Sequence, residues 1–299
     1  MNVRRLALIG CGLMGGSFAL ALRAANRVQH IAGYSASPQT RAKALALGVI
    51  DSACDSVAQA VHEADLVVLA VPVRATEESL RAMAPHLSAD ALVMDVGSTK
   101  CDVVAAARAT LGERLACFVP AHPIAGKEHA GIDHAEATLY QQRLTVLTPL
   151  PENTPAQVER AQDLWHALGS RVQTLSPEAH DASFAAVSHL PHLAAFAFIN
   201  AVARQSEGSR HLALAGPGFR DFSRIAASDP SVWRDILLAN RDEVLAQSAQ
   251  LRAALDELEA AMHAQDSARL HALIQEASQV RGAWRMGGAH TDTDTDSHS

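Results

Sequence analysis

The chain has 299 residues, of which 48% are hydrophobic; 25 are Lys or Arg and 32 are Asp or Glu, for a formal net charge of -7. The length favours two domains over one core, and the apolar content excludes a wholly disordered chain. An acidic balance without a Lys- or Arg-rich run argues against nucleic acid as a partner.

The sequence predicts neither a signal peptide nor a membrane-spanning segment. No apolar stretch is expected to reach the ~18 residues that a membrane span needs, so no membrane partner is predicted. The segment from Met1 to Arg5 leads directly into a predicted strand rather than a signal peptide, which favours a cytoplasmic location. The cysteines show no C-x-x-C pairing, so neither a metal site nor a disulfide framework is predicted. They are Cys11, Cys54, Cys101 and Cys117.

Residues 4 to about 150 alternate short apolar runs with amphipathic stretches. The runs are predicted as strands at 5–9, 30–34, 66–71, 92–96, 117–119 and 144–147. Near-continuous apolar strands separated by helical segments indicate a parallel sheet covered on both faces. Residues 1–150 are therefore predicted to form an α/β domain, a Rossmann-type doubly wound parallel sheet that binds a dinucleotide.

A proline-rich segment near residue 150 marks the predicted domain boundary. Beyond it, helical periodicity predicts helices over 159–168, 178–204, 232–263 and 266–284. Such long helices must bury their apolar faces, so residues 151–286 are predicted to form an all-helical substrate and dimerisation domain, with a homodimer as the economical arrangement. The polar tail, residues 287–299, is predicted to be disordered.

The first predicted strand runs into a glycine-rich turn and then a helix. Gly10, Gly12 and Gly15, with Leu13 and Met14 between the last two, match G-x-G-x-x-G in the context that this motif requires. Gly10 permits a tight turn, Gly12 lets the backbone approach a pyrophosphate, and Gly15 lets helix and strand pack closely. The phosphates would lie on the helix N-terminus, where free N–H groups favour negative charge. The turn therefore predicts dinucleotide binding.

The end of the second strand indicates which dinucleotide binds. An NAD-preferring site usually carries a carboxylate there, whereas this sequence has Ser35 and Ser37, with Arg41 one turn further on. Hydroxyl and guanidinium groups would hold a 2′-phosphate. The predicted cofactor is NADP or NAD, with NADP or dual use favoured. The alternative is that the serines only cap the next helix.

Candidate site residues follow the later strands, where the ligand crevice of a doubly wound sheet lies. Val71 and Pro72 are expected to line the cofactor channel, and Ser98 follows the next strand in the segment MDVGSTK. His122 comes next, held in extended geometry by the proline after it. Because imidazole suits proton transfer near neutrality, His122 is the candidate base, with a structural or supporting role as the alternative.

The helical half supplies further candidates. His189 and His192 lie three apart around a proline, which predicts a kinked helix that points imidazoles into a cleft. Core histidines are the alternative, and no motif completes a metal-ligand set. Arg220 and Arg224 are four apart, so on a helix they could clamp a dicarboxylate. The alternative there is a solvated, charged helix end.

Five motifs occur in order between residue 6 and about residue 240: GCGLMGGS, DVGSTK, HPIAGKEHAG, HD-x₇-HLPH and GFRDFSRIA. Through them the sequence resembles the prephenate dehydrogenase family of tyrosine biosynthesis, which includes arogenate and cyclohexadienyl dehydrogenases. The resemblance implies oxidative decarboxylation of prephenate to 4-hydroxyphenylpyruvate, or of arogenate to tyrosine, with hydride transfer to NAD or NADP. No single residue decides between the two substrates.

The resemblance also implies residue roles. His122 and Ser98 are expected near the substrate 4-hydroxyl and the nicotinamide, and Glu128 is expected to gate the site or make a polar contact. The substrate-binding roles fall on six residues: His189 and His192 facing the pocket, Arg224 on a substrate carboxylate with Asp221 paired to it, Arg220 reaching a neighbouring subunit's site, and Trp233 lining the pocket.

Two other functions fit parts of the sequence. Another oxidoreductase with a Rossmann domain and helices, such as a β-hydroxyacid dehydrogenase or a pyrroline carboxylate reductase, would share the glycine motif but gives no reason for HPIAG together with HLPH. A non-catalytic dinucleotide sensor would need no His122.

Overall fold

The computed structural model describes residues 2–127 and 129–285. The described chain divides into two compact units, one up to Leu245 and one from Ala246 onward. The first unit holds both sheets and the helices around them.

The larger sheet is the doubly wound parallel sheet that the sequence predicts. Its strands pair in the order β3-β2-β1-β4-β5, all in parallel. They are β1 (Val3–Ile9), β2 (Val28–Tyr34), β3 (Ser52–Ala53), β4 (Leu66–Leu69) and β5 (Leu92–Asp95). The chain winds outward from β1 in both directions, so the carboxyl ends of β1 and β4 form the switch point where ligands bind in such sheets.

Helices cover both faces of this sheet. They are α1 (Leu13–Ala24), α2 (Pro38–Ala46), α3 (Val57–Val61), α4 (Thr76–Met83) and α5 (Cys101–Thr110). Alternate residues of β1 enter two different apolar cores: Leu8 packs with Phe18 and Trp165 on one face, and Ile9 packs with Phe118 on the other. Burial on both faces explains why the central strands read as continuous apolar runs.

A smaller sheet follows, with β6 (Ala121–Pro123) antiparallel to β7 (Leu144–Leu147) and β7 parallel to β8 (Arg171–Thr174). The strand predicted at 117–119 was wrong, because Gly112–Cys117 is a 3₁₀ turn and Phe118 makes only an isolated bridge. β8 lies in the region predicted to be helical. Its four residues are mostly exposed, so they lack the apolar pattern by which a strand is recognised.

The remaining elements are helices. In chain order they are α6 (Pro155–Ala167), α7 (Pro177–Phe184), α8 (Leu190–Ala203), α9 (Gly208–Ala213), α10 (Pro217–Ser223), α11 (Pro230–Ala239), α12 (Arg241–His263) and α13 (Ser267–Ala283). The helix predicted over 232–263 is two helices, because Asn240 leaves helical geometry between α11 and α12. A 3₁₀ turn, Arg224–Ala227, follows α10.

Residues 177–203 form one unbroken helical run, in which the π turn Ala185–His189 joins α7 to α8. A π turn can absorb the interruption that Pro191 would otherwise cause. By length and composition alone this run of 27 residues is apolar enough to cross a membrane, so the expectation that no stretch reaches that length was wrong. The helix itself was predicted over 178–204, so only the length of its apolar sequence was underestimated. Only 17% of its most apolar window is buried within the chain, which leaves an apolar surface to be covered.

The second unit contains most of α12 and all of α13. The Asp266 side chain caps α13 by accepting from the Arg269 N–H at 2.9 Å, and Arg269 pairs with Glu257 of α12 at 2.9 Å. Ile274 and Val280 on α13 are exposed. The tail at 287–299, predicted to be disordered, lies outside the described residues.

Candidate functional site

The glycine turn after β1 has the backbone that a dinucleotide site requires. Gly10 has φ +106°, and a Cβ there would lie 2.2 Å from the Ala70 carbonyl oxygen. A Cβ on Gly15 would lie 2.1 Å from the Gly10 carbonyl oxygen, whereas one on Gly12 would meet nothing within 4 Å. Gly10 and Gly15 are therefore required by the fold. Gly12 stands at the start of α1 before open space, as a residue that a pyrophosphate approaches should.

The residues around the glycines complete this crevice. Leu13 is buried, and the Met14 carbonyl accepts from the Tyr140 hydroxyl at 2.7 Å, which fixes the first turn of α1. Val71 and Pro72 directly follow the Ala70 backbone that contacts Gly10, at the carboxyl end of β4. The predicted cofactor residues of this loop thus lie at the switch point of the sheet.

The predicted ribose-binding residues lie at the end of β2. The Ser37 hydroxyl caps α2 by accepting from the Thr40 N–H at 3.2 Å, so the capping alternative applies to this serine. One Arg41 Nη atom donates to the Ser35 carbonyl at 2.6 Å, and the other donates to the Asp55 carboxylate at 3.1 Å. The Arg41 guanidinium is therefore held beside Ser35, with the exposed Asp55 carboxylate as a partner that an anion could replace.

A buried ion pair underlies the next strand end. Lys100 and Asp95 are both buried, and the Lys100 Nζ contacts the Asp95 carboxylate. The same Nζ donates to the Ala121 carbonyl at 3.0 Å, and the other Asp95 oxygen accepts from the Ala121 N–H at 3.0 Å. Ser98 lies half-buried in the loop that this pair spans. The pair thus joins the Ser98 loop to the residue before His122.

His122 is the first member of a hydrogen-bonded chain of three side chains. Its Nδ1 lies 2.8 Å from Nε2 of His180, and His180 Nδ1 lies 2.8 Å from Oδ1 of Asp181. The Phe184 ring lies 4.8 Å from the His122 ring and 4.5 Å from the His180 ring, between centroids. His122 comes from β6 and the other residues come from α7, so the two halves of the first unit build this cluster together.

Burial keeps these histidines uncharged. It lowers the pKa of His122 well below 6.5, and the nearby His180, Lys100 and His189 lower it further. Burial also lowers the pKa of His180, and it lowers the pKa of His189 to about 4. A neutral imidazole can accept a proton, which is the property that a general base needs.

Asp181 remains ionised in spite of its burial. Burial alone would raise its pKa, but hydrogen bonds from His180 and from the backbone N–H groups of Cys101 and Lys100 hold the pKa below its usual value. Both backbone N–H groups lie 2.8 Å from the carboxylate, one on each oxygen. They stand at the start of α5, where the helix dipole also favours negative charge.

The predicted substrate residues of the π turn, α8 and α11 lie together. His192 stacks on Trp233, with ring centroids 3.5 Å apart and planes inclined by 19°, and its Nδ1 donates to the Ser188 carbonyl at 2.9 Å. His189 meets the Trp233 ring edge-on, with centroids 6.1 Å apart. His189 is buried and receives a hydrogen bond on Nδ1 from Asn240 at 3.1 Å.

The arginines of the helical half are arranged differently from the expectation. α10 ends at Ser223, so Arg220 and Arg224 do not share one regular α-helix. Asp221 forms its ion pair with Arg220 at 3.1 Å, where pairing with Arg224 was expected, and both partners are exposed. Arg224 lies close enough to His192 to lower the pKa of that histidine, after the larger effect of burial. Glu128 lies outside the described residues.

Three residues of this cluster had no role assigned from sequence. His180 and Asp181 form the HD pair of a quoted motif, and that pair is a sequence signal that could have identified them. Asn240 lies between two helices, and no motif in the sequence indicates a function for it. In the described part of the chain, no group of three His, Cys, Asp or Glu side chains is placed to hold a metal ion.

Comparison with known proteins places these features in a family. Residues 18–174 match the family model described as "Prephenate dehydrogenase, nucleotide-binding domain", and residues 176–276 match "Prephenate dehydrogenase, dimerization domain". The two matches adjoin at residue 175, after β8. The boundary predicted near residue 150 precedes both α6 and β8.

Individual relatives match over nearly the whole chain. Cyclohexadienyl dehydrogenase of Zymomonas mobilis is 37% identical over 93% of this chain and 95% of its own length. The crystal structure of Aquifex aeolicus prephenate dehydrogenase with hydroxyphenyl propionate and NAD+ superposes with a TM-score of 0.89 at 35% identity, over 94% of this chain and 98% of that one. Synechocystis arogenate dehydrogenase superposes with a TM-score of 0.80 at 30% identity, over 93% and 99%.

Proposed function

The chain belongs to the prephenate dehydrogenase family, and on that premise we propose that His122 is the proton acceptor of its reaction. The reaction is the oxidative decarboxylation of prephenate to 4-hydroxyphenylpyruvate, or of arogenate to tyrosine, with NAD(P) as oxidant. The observation that carries the proposal is the His122 imidazole, which is buried, neutral and hydrogen-bonded through Nδ1, so that Nε2 is the ring nitrogen left to face a ligand.

The proposed chemistry follows from a neutral imidazole beside the substrate hydroxyl. When bound, the oxidised nicotinamide accepts the hydride from ring carbon C4. His122 accepts the proton of the C4 hydroxyl, so electron density from that oxygen assists departure of the hydride. Loss of the ring carboxylate as CO₂ then makes the ring aromatic, and the proton on His122 returns to the phenol oxygen. General-base assistance of this kind contributes roughly 10²–10⁴-fold to a rate.

The substrate carboxylates need cationic and hydrogen-bonding partners. Arg224 is proposed to bind one carboxylate, with His192 beside it and the Trp233 ring as the apolar wall that His192 stacks against. His189 is proposed to lie at the same pocket, and Ser98 is proposed to orient the substrate hydroxyl. Glu128 is proposed to gate the site or to make a polar contact with its ligand.

The cofactor preference is proposed to be NADP or dual. No carboxylate ends β2, and the Arg41 guanidinium is held by the Ser35 carbonyl just beyond that strand, which supports a role for Arg41 in binding a 2′-phosphate. A phosphate could take the place of the exposed Asp55 carboxylate on Arg41 without new burial of charge.

Assembly is proposed to be a homodimer in the cytoplasm. The apolar side chains that Pro177–Ala203 leaves exposed belong to the segment that matches a dimerization domain, so a second copy is the partner that would cover them. Arg220 is exposed on α10 and is proposed to reach toward the site of that second copy.

A two-by-two assay tests the proposed function. Purified protein is given prephenate or arogenate with NAD+ or NADP+, and formation of reduced nicotinamide is followed by absorbance. We expect turnover with at least one pair and an aromatic product of matching identity by mass spectrometry. Cofactor binding by calorimetry without turnover in any of the four mixtures would instead favour a dinucleotide sensor.

A further inference from the structure

We propose that Asp181 is a positioning residue that determines which ring nitrogen of His122 carries its lone pair. The inference deepens the proposed function, because it rests on His122 as the proton acceptor. Asp181 itself reaches His122 only through His180.

The ionised carboxylate of Asp181 fixes the proton position on His180. Asp181 accepts from His180 Nδ1 at 2.8 Å, so the single proton of a neutral His180 lies on Nδ1 and its Nε2 is bare. The bare Nε2 lies 2.8 Å from His122 Nδ1, so it must accept a proton from that atom. A neutral His122 with its proton on Nδ1 carries its lone pair on Nε2. That tautomer is the one that can take the substrate proton.

The carboxylate is fixed in orientation as well as in charge. Its Oδ1 accepts from the Lys100 N–H and its Oδ2 from the Cys101 N–H, each at 2.8 Å, and it is 2% exposed. The ammonium of Lys100 is neutralised separately by Asp95. The negative charge of Asp181 is therefore not neutralised by the Lys100 ammonium and can act on His180. The N-terminus of α5 holds the Asp181 carboxylate in place.

The same residue also constrains the second buried histidine. The Asn240 Nδ2 donates one hydrogen to the Asp181 carbonyl at 2.8 Å and the other to His189 Nδ1 at 3.1 Å. With Nδ1 accepting, the proton of a neutral His189 lies on Nε2. Asp181 thus links, through its carboxylate and its carbonyl, two histidines with opposite tautomers: an acceptor Nε2 on His122 and a donor Nε2 on His189.

If Asp181 only capped α5, its substitution would have a different effect from the one expected for a residue that fixes the tautomer of His122. Asp181→Asn keeps the size of the side chain but offers one oxygen to three donors. An amide nitrogen that faces His180 forces His180 to carry its proton on Nε2, and His122 must then accept on Nδ1 and present a proton at Nε2. A cap that is merely weakened would lower stability without changing the tautomer of His122.

Two measurements test the proposal. Ring ¹⁵N chemical shifts of the substrate-free protein, assigned with a His122→Asn variant, should show the His122 proton on Nδ1 in the wild type and a population with the proton on Nε2 in Asp181→Asn. kcat of Asp181→Asn should fall roughly 10²–10⁴-fold with substrate KM changed only a few-fold, as when a triad carboxylate no longer fixes its histidine. Glu178→Gln, an exposed carboxylate on the same helix, should match the wild type in both.

A double-mutant cycle separates positioning from capping. If Asp181 acts through His122, then adding Asp181→Asn to His122→Asn should lower kcat less than threefold further. An equal loss in both backgrounds would overturn the proposal, as would wild-type shifts that place the His122 proton on Nε2. The shifts need no turnover, so an inactive wild type would contradict the proposed function while this measurement still decides the tautomer.

Discussion

His122 Nδ1 and His180 Nε2 lie 2.8 Å apart, although 58 residues separate them in the chain. One belongs to β6 of the small sheet and the other to α7 of the helical half. The contact joins the proposed base to the element that orients it, so the candidate site exists only where the two halves of the first unit come together.

Replacing His122 by Asn should remove the proton acceptor and keep most of the shape of the side chain. An amide has no basic nitrogen, so kcat should fall about 10²–10⁴-fold while substrate KM stays within a few-fold of the wild type. Steady-state kinetics with the preferred substrate measure both. His86→Asn, the same change at an exposed histidine, is the control. A His122→Asn enzyme with unchanged turnover would remove the imidazole from the mechanism.

Replacing Arg224 by Ala should weaken substrate binding more than turnover. A carboxylate that loses a charged hydrogen-bond partner loses about 1.5–3 kcal/mol, so substrate KM should rise roughly 10- to 100-fold. Arg210→Ala, which removes an exposed arginine paired with Glu207 on α9, should leave KM unchanged. If Arg224→Ala lowered kcat alone at constant KM, the residue would act on the reaction step and not as a carboxylate anchor.

Replacing Arg41 by Ala should affect NADP+ more than NAD+. Loss of the guanidinium should raise the Kd for NADP+ about tenfold or more, because the 2′-phosphate loses a charge-assisted hydrogen bond, and NAD+ has no such group to lose. Asp55→Asn should lower the Kd for NADP+, because it removes the carboxylate that pairs with the Arg41 guanidinium. Calorimetric titration of both cofactors measures these values. Equal losses for both cofactors would show that Arg41 only holds the Ser35 backbone.

Most features that depend on local residue identity were predicted from the sequence. The glycine turn, the apolar central strands and three of the four predicted long helices follow from φ requirements and from hydrophobic periodicity, which involve residues near one another in the chain. The fourth predicted helix, 232–263, is divided at Asn240. β8 was not predicted, because an exposed four-residue strand has no apolar pattern. Its pairing with β7 stabilises a strand that local residue preferences alone do not specify.

The interior of the candidate site required the tertiary structure. Asp181 meets Lys100 and Cys101 from 81 and 80 residues away, and Asn240 meets the Asp181 carbonyl across 59 residues. No periodicity records such contacts, because the first two depend on how α7 packs against the start of α5, and the third depends on where the end of α11 meets α7. The motif HD marked His180 and Asp181, but the roles of these two residues follow only from the direction of their hydrogen bonds.

Gly10 and Gly12 of the turn should respond differently to an added methyl group. Gly10→Ala should destabilise the cofactor-free protein by roughly 1–3 kcal/mol, because of the positive φ and the clash with Ala70. Gly12→Ala should leave that stability within about 0.5 kcal/mol, since its Cβ meets open space, yet weaken NAD(P) at least tenfold. Urea unfolding and cofactor titration measure the two effects. Gly12→Ala with normal cofactor affinity would place the pyrophosphate elsewhere.

Stability should fall as the pH is lowered through the range in which the unfolded histidines become protonated. Burial lowers the pKa of His189 to about 4, against 6.5 for an ordinary histidine, so between these values the unfolded chain binds more protons and folding is favoured by higher pH. The pKa values of His122 and His180 are lowered in the same direction.

From pH 7.5 to pH 5.5, His189 alone should therefore cost about 1 kcal/mol of unfolding free energy. Urea unfolding at both pH values, at one fixed protein concentration because a dimer's stability depends on it, measures the difference. His189→Gln keeps an acceptor for Asn240 but cannot be protonated in this range, so it should remove that part of the difference. His86→Gln, at an exposed position, should retain it. A wild type that is equally stable at both pH values would contradict the buried, neutral state of these imidazoles.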